Sequence, residues 1–243
     1  MFCQFCGAQI EPNSRFCQKC GQAQSVGGAG STPPPGMPPG YQPPLQPPPR
    51  YVPPQGVHAQ TGHWIGAGWH LVKEELGMFM LLSLLFILLN GFVPIILQGP
   101  MIAGFCIVCT KKLLYGRFEL GDFFKGFNFF VAALVASLII MVFTFIGTIF
   151  CIIPGLVIAA MYQFTYLFII DKKMDFWPAM QASHDLVKSD YFGFTIFFIA
   201  AILLNIIGLL CCVVGILATM PILYAAVTVA YKEMVGFEPS TNF

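Results

Sequence analysis

The sequence predicts an all-α polytopic membrane protein: six transmembrane helices arranged as three repeated hairpins, with interfacial amphipathic helices and a small N-terminal cysteine module. Three observations carry that prediction. The 243 residues are 57% hydrophobic and 9% charged, against roughly 25% charged in a soluble domain, and the mean hydropathy is +0.76. From Phe129 to Ile170 there is no Asp, Glu, Lys or Arg, and Cys151-Ile152-Ile153-Pro154-Gly155 interrupts the run near its middle. Hydrocarbon about 30 Å thick takes about 20 apolar residues per helical crossing, so this stretch holds two crossings and a tight turn. Comparable units flank it on both sides.

Composition divides the chain into residues 1–24, the cysteine module; 25–62, a Pro/Gly-rich disordered linker; 63–236, the six-helix domain; and 237–243, a C-terminal tail. The first residues, Met-Phe-Cys-Gln-Phe-Cys, have neither a basic n-region nor an apolar h-region, so no cleaved leader is expected. The net charge of +1 argues against a nucleic-acid partner held by bulk attraction. Of the nine cysteines, five lie in apolar spans, so no secreted disulfide framework is implied.

Cys3-x-x-Cys6-Gly7 and Cys17-x-x-Cys20-Gly21 form two knuckles separated by a short polar stretch with Pro12, Asn13 and Ser14. Each knuckle converges two thiolates, the glycine allows the tight bend, and four thiolates close a tetrahedral shell around Zn²⁺. Phe2 to Gln22 resembles the short zinc-ribbon modules at the N-termini of many otherwise unrelated prokaryotic proteins. About twenty residues cannot bury a useful core, so the metal is expected to supply the folding energy, roughly 10–16 kcal/mol of apparent binding free energy. The expected cofactor is therefore a structural Zn²⁺ on Cys3, Cys6, Cys17 and Cys20; iron accepts the same thiolates, though the geometry favours zinc. A closed shell leaves no open coordination position for catalysis. Around the ligands stand only Glu11, Arg15 and Lys19, which points to protein contact, and reduced thiolates place the module in the cytosol.

From Ser25 to about Gly62, Pro33-Pro34-Pro35, Pro38-Pro39, Pro43-Pro44, Pro47-Pro48-Pro49 and Pro53-Pro54 favour extended polyproline II with a rise of about 3.1 Å per residue. That makes a semi-rigid tether. P-x-x-P matches within it follow from composition.

Thr61 to Leu76, with Trp64 and Trp69 expected at headgroup level, reads as an interfacial helix entering the first span. Hairpin one runs from Leu76 to about Thr110 with its turn near Asn90-Gly91 and Pro94, and hairpin three from about Phe192 with its turn at Cys211-Cys212. Lys111, Lys172 and Lys232 recur at about sixty residues, and Pro100 and Pro221 stand at equal distances before the first and last, with Met161 at the matching place in the middle copy. This is a degenerate threefold repeat. Beyond the tether every charge falls in 73–75, 111–125, 171–190 or 232–238, while the turns carry none. Lys and Arg mark the cytoplasmic side, so both termini are expected inside a cell (inner) membrane.

Phe118 to Phe130 and Phe176 to Tyr191 read as helices lying on the bilayer between hairpins, as connectors or as platforms for lipid or a partner. In the second, Phe176, Met180, Val187 and Tyr191 share one side, Gln181, Asp185 and Ser189 the other, and Asp175 is placed to cap the N-terminus.

No span carries a charge, which removes the usual mark of an ion or proton pathway. Asn90, Gln98, Gln163 and Asn205 are neutral polar residues suited to interhelical hydrogen bonds, Cys106 and Cys109 read as packing residues, and adjacent Ser183, His184 and Asp185 cannot form a triad because neighbours on a helix point apart.

Phe176-Trp177-Pro178-Ala179-Met180, the Gly-rich turns and Ala230-Tyr231-Lys232 give residues 69–236 a resemblance to uncharacterised prokaryotic integral-membrane families, including the membrane domain of some glycerophosphoryl diester phosphodiesterases. The soluble catalytic domain is absent from this sequence, so that activity is not implied. The expectation is a non-enzymatic membrane protein displaying a cytosolic zinc ribbon for protein interaction or regulatory assembly, with the bilayer and a protein as partners and room for a homo-oligomer. The rival is a permease or lipid-handling protein, whose mark would be a polar cavity lined by Asn90, Gln163 or Asn205.

Overall fold

The computed structural model describes residues 57–211 and 213–238. The cysteine module, most of the linker and the end of the C-terminal tail lie outside the described residues. Among those described there are helices and no strands: α1 (Thr61–Lys73), α2 (Leu76–Phe92), α3 (Pro94–Tyr115), α4 (Leu120–Phe124), a 3-10 turn (Lys125–Phe129), α5 (Phe130–Phe150), α6 (Ile152–Met161), α7 (Thr165–Lys172), α8 (Phe176–Val187), α9 (Tyr191–Leu210) and α10 (Val213–Met234).

Five runs, 94–115, 120–150, 152–172, 191–210 and 214–234, are long and apolar enough to cross a membrane, and the pair α1 and α2, bent by 99° at Glu74-Glu75, makes a sixth candidate. Local chemistry sets the breaks. Val93 is driven out of the helical region (φ −141°, ψ 73°) by Pro94, which is itself tolerated at the first helical position. Cys151 is extended (φ −171°, ψ 150°) between α5 and α6. The left-handed Gly116 (φ 71°) ends α3, its N–H donating to the Lys112 carbonyl at 3.0 Å. Asp190 caps α9, accepting from the Gly193 N–H at 2.9 Å, and Asp175 accepts from the Phe176 N–H at 3.0 Å as expected for α8.

The charged groups are tied together at one end of the helices. Lys112 on α3 meets Glu75 at 2.8 Å and Glu74 at 3.0 Å, pinning the α1–α2 bend, and Lys111 meets Asp122 of α4 at 2.7 Å. Lys172 pairs with Glu238 at 3.0 Å, and the Tyr231 hydroxyl donates to buried Asp171 at 2.9 Å. The end of the tether joins the same layer, the Ala59 N–H donating to Asp190 at 3.2 Å. At the opposite end Phe92 and Phe150 are each 84% exposed and Leu210 is 80% exposed. An apolar surface of that extent suits hydrocarbon and not water.

The core sits toward the charged end, in two clusters: Trp64, Phe168, Phe194, Phe197 and Tyr231 in one, Val72, Phe79, Phe105 and Phe123 in the other. Two sequence expectations are corrected here. Trp64 does not face outward but is 1% exposed, stacked on Phe194 and edge-on to Phe197, with its indole N–H donating to Glu233 at 2.7 Å; Trp69 alone of the pair is exposed. The buried face of α1 is Trp64, Gly68 and Val72, and it docks on α10 where a Cβ at Gly68 would come within 2.8 Å of the Ala226 nitrogen. Nor is Asp185 on an outward face of α8. Ala179, Ala182, Ser183, Asp185 and Leu186 are buried against the neighbouring helices, and Lys188 neutralises Asp185 at 2.8 Å. The small residues let α8 wedge in, and a reading weighted by large apolar side chains passes over them.

Candidate functional site

The second half of the central hairpin is not one continuous helix. α6 stops at Met161 and α7 begins at Thr165, and between them the Ser183 hydroxyl, brought in by α8, donates to the Met161 carbonyl at 2.7 Å and accepts from the Phe164 N–H at 3.3 Å. One buried side chain thus satisfies two backbone groups that a continuous helix would have paired. An interrupted helix at membrane depth is tolerated where protein side chains replace the lost bonds or the backbone lines a cavity. Both conditions hold here.

Beside the break, α3, α5, α9 and α10 leave a cavity of about 500 Å³, within the range of small-molecule pockets. Its wall is mostly apolar, with Ile102, Ile140, Phe198 and Leu223, and its polar members are Gln98, Ser137, Thr144, Thr148, Tyr162, Gln163, Tyr166 and Tyr224. No Asp, Glu, Lys or Arg lines it. Met141 and Phe145 on its rim are 44% and 66% exposed, so it opens sideways onto the apolar flank of α5. Ser137 back-bonds to the Leu134 carbonyl at 2.8 Å. By contrast, the Gln163 amide oxygen and nitrogen and the Thr144 hydroxyl are buried without a hydrogen-bond partner among the described residues. Each such group costs about 1–3 kcal/mol if it stays unpaired.

The neutral polar residues singled out in the sequence separate in space. Gln98 and Gln163 come together in the cavity wall. Asn205 instead joins α9 to α10, accepting from Thr219 at 3.2 Å while donating to the Ala201 carbonyl at 2.9 Å. Asn90 leaves a buried oxygen, without a partner among the described residues, away from the cavity. Cys106 and Cys109 are both buried, Cys106 against the cavity and Cys109 in the other core cluster. Ser183, His184 and Asp185 do not converge: Ser183 holds the helix break, while His184 meets the Tyr191 hydroxyl at 2.9 Å. The structural role of Ser183 was missed in the sequence. Its only signal is that Met161 falls at the register of Pro100 and Pro221, both of which lie inside helices.

Cys3, Cys6, Cys17 and Cys20 lie outside the described residues, among which no group of three or more His, Cys, Asp or Glu side chains could hold a metal ion. Their donor chemistry, four thiols in two C-x-x-C pairs, suits Zn²⁺.

Residues 2–23 match the model of the zinc-ribbon domain, a stretch that includes all four cysteines. An uncharacterised protein of Mycobacterium bovis is 31% identical over 103 residues, covering 42% of this chain and 32% of its own length, and uncharacterised proteins from two strains of Mycobacterium tuberculosis match to the same extent. The chain thus spans about a third of the length of the curated relatives it matches. No solved structure matches. A zinc ribbon ahead of several helices long enough and apolar enough to span a bilayer defines the class, a membrane protein with an N-terminal zinc-ribbon domain.

Proposed function

We propose that this chain is a non-enzymatic, multi-pass protein of the cell (inner) membrane that displays a zinc ribbon in the cytosol for protein interaction or regulatory assembly. The observation that carries the reading is the single charged layer: Lys112 with Glu74 and Glu75, Lys111 with Asp122, and Lys172 with Glu238 all sit at one end of the helices, and the turns at Val93, Cys151 and Cys211 sit at the other. With α1 and α2 as the bent sixth span, every hairpin leaves and returns on the charged side, where lysines mark the cytosol. Cys3, Cys6, Cys17 and Cys20 would hold Zn²⁺ in that reducing compartment, the metal folding the ribbon without taking part in a reaction. The bonds from Val57 and Ala59 to Ser189 and Asp190 root the tether in the same layer. A threefold repeat is supported by the common register of Pro100, Met161 and Pro221, each eleven residues before Lys111, Lys172 or Lys232, although the helix breaks only at Met161 and runs on through both prolines.

Cross-linking and pull-down from intact membranes tests the proposal. Deleting residues 1–24 is expected to abolish recovery of the partner and leave membrane insertion unchanged; undiminished recovery would refute a ribbon-mediated assembly. A second reading, a permease or lipid-handling protein, is favoured by the uncharged cavity beside the α6–α7 break. Its measurement is flux or lipid exchange in liposomes that survives the same deletion.

A further inference from the structure

We propose that the cavity beside the α6–α7 break is a binding site for one molecule of a neutral glycerolipid, a monoacylglycerol or diacylglycerol, with its hydroxyl and ester carbonyl on the Gln163 amide. The inference deepens the second reading above by naming a ligand class, and it concerns binding, which can be present whether or not anything is transported.

Four features of the site select that class. The Gln163 side chain, in the cavity wall, carries a donor and an acceptor side by side, both buried and both unpartnered among the described residues, with the Thr144 hydroxyl unpartnered in the same wall. A hydroxyl adjacent to an ester carbonyl answers both halves of a primary amide, the hydroxyl donating to Oε1 and the carbonyl accepting from Nε2. A pure hydrocarbon would answer neither. The wall contains no Lys, Arg or His to meet a phosphate, so a phospholipid head would enter without a counter-charge. The depth of the site agrees: Gln163 lies at the centre of the 152–172 span, where an uncharged head is tolerated and a charged one is costly. Finally, the cavity opens past Met141 and Phe145 onto the lipid-facing flank of α5, giving a ligand dissolved in the bilayer a lateral route and leaving room for a second acyl chain outside.

The interrupted helix gives the site its construction. By taking over the Met161 carbonyl and the Phe164 N–H, Ser183 allows the chain to break where Gln163 enters the cavity wall. Half-helices meeting at a mid-membrane site are a recurring way to place polar groups against a ligand in hydrocarbon.

The test uses the full chain in nanodiscs and a monoacylglycerol carrying a diazirine in its acyl chain. Photolabelling is expected to saturate, to map to peptides containing Ile102, Ile140 or Phe198, and to be displaced by excess unlabelled monoacylglycerol but not by phosphatidylglycerol. Gln163→Leu should lower labelling about 5–30-fold, the loss of one to two hydrogen bonds at about 1 kcal/mol each. Ala159→Phe, which fills the cavity from α6, should remove it while the protein still elutes as a folded species. Non-saturable labelling spread over exposed residues such as Phe150 and Leu210 would overturn the proposal, as would equal displacement by phosphatidylglycerol. So would labelling removed by Ala159→Phe but unchanged in Gln163→Leu, because the amide would then hold nothing. Liposome flux is a separate measurement, so loss of transport with labelling intact would sink the permease reading and leave this one standing.

Discussion

Ser183 is a side chain whose identity matters out of proportion to its size. Fully buried, it donates to one backbone carbonyl and accepts from one backbone N–H across the α6–α7 break. Ser183→Ala leaves both without that partner, and a destabilisation of about 1–3 kcal/mol is expected from the desolvated groups. Thermal unfolding in detergent measures it; a shift within error would mean that the break is held by packing alone. Asp190 offers a pH test. The Gly193 N–H and then the Ala59 N–H hold its carboxyl below the usual carboxylate range, against an opposing contribution from burial, with His58 adding to the lowering. Because the folded pKa is depressed, its stabilisation is fully present above the unfolded value near 3.9 and fades as pH falls through the folded one. Asp190→Asn should therefore lower the unfolding temperature at neutral pH, and the gap from wild type should close below about pH 4. A gap that is constant down to pH 2 would contradict the assignment.

At the scale of elements, close approach between helices decides the packing. A Cβ at Gly104 would collide with the backbone oxygen of Phe123, and one at Gly126 with the Pro100 carbonyl and, at 2.8 Å, with Cα of Gly104. These glycines let α4 and the 3-10 turn lie directly on α3, which seats Asp122 within reach of Lys111. Gly104→Leu is expected to cost about 1–3 kcal/mol or more through forced backbone shifts, read as a lower unfolding temperature. The α1–α2 bend depends on a different device. Lys112 is only 6% exposed and bonds Glu75, Glu74 and the Gly116 carbonyl. Lys112→Met keeps the stem's packing and removes the charge, so about 1–2 kcal/mol should be lost, limited by the exposure of both glutamates. Protease or hydrogen-exchange protection around residues 73–76 should fall first; unchanged protection there would show that the bend is held by α1 packing on α10.

For the whole molecule, the arrangement of charge and the metal module make separable predictions. Chelation should release about one zinc per chain and unfold the ribbon, since such modules fold with their metal, while the helical signal of the bundle persists. Loss of helical content on chelation would show that the two parts are coupled. With Cys151 and Cys211 at the opposite turns, and the adjacent Cys212, replaced by Ser, a cysteine introduced at Lys173 should resist an impermeant maleimide applied outside intact cells and react after the membrane is opened. Reaction from outside would overturn the cytosolic placement of the charged layer.

Much of this architecture is written along the chain because bilayer thickness and backbone sterics are local rules. Long apolar runs define spans, Pro94 with its restrained neighbour Val93 defines a turn, and Gly116 defines a helix end. The cysteine spacing likewise names a metal without any fold. Other features depend on residues far apart in sequence. Trp64 becomes core only because Glu233, 169 residues later, accepts its N–H; α8 becomes a wedge only because its small face meets the bundle; and Gln163 becomes a candidate ligand group only because Ser183 holds open a helix that hydropathy reads as continuous. Hydropathy sums side chains one at a time, whereas burial, pairing and the space left between helices arise from which surfaces meet.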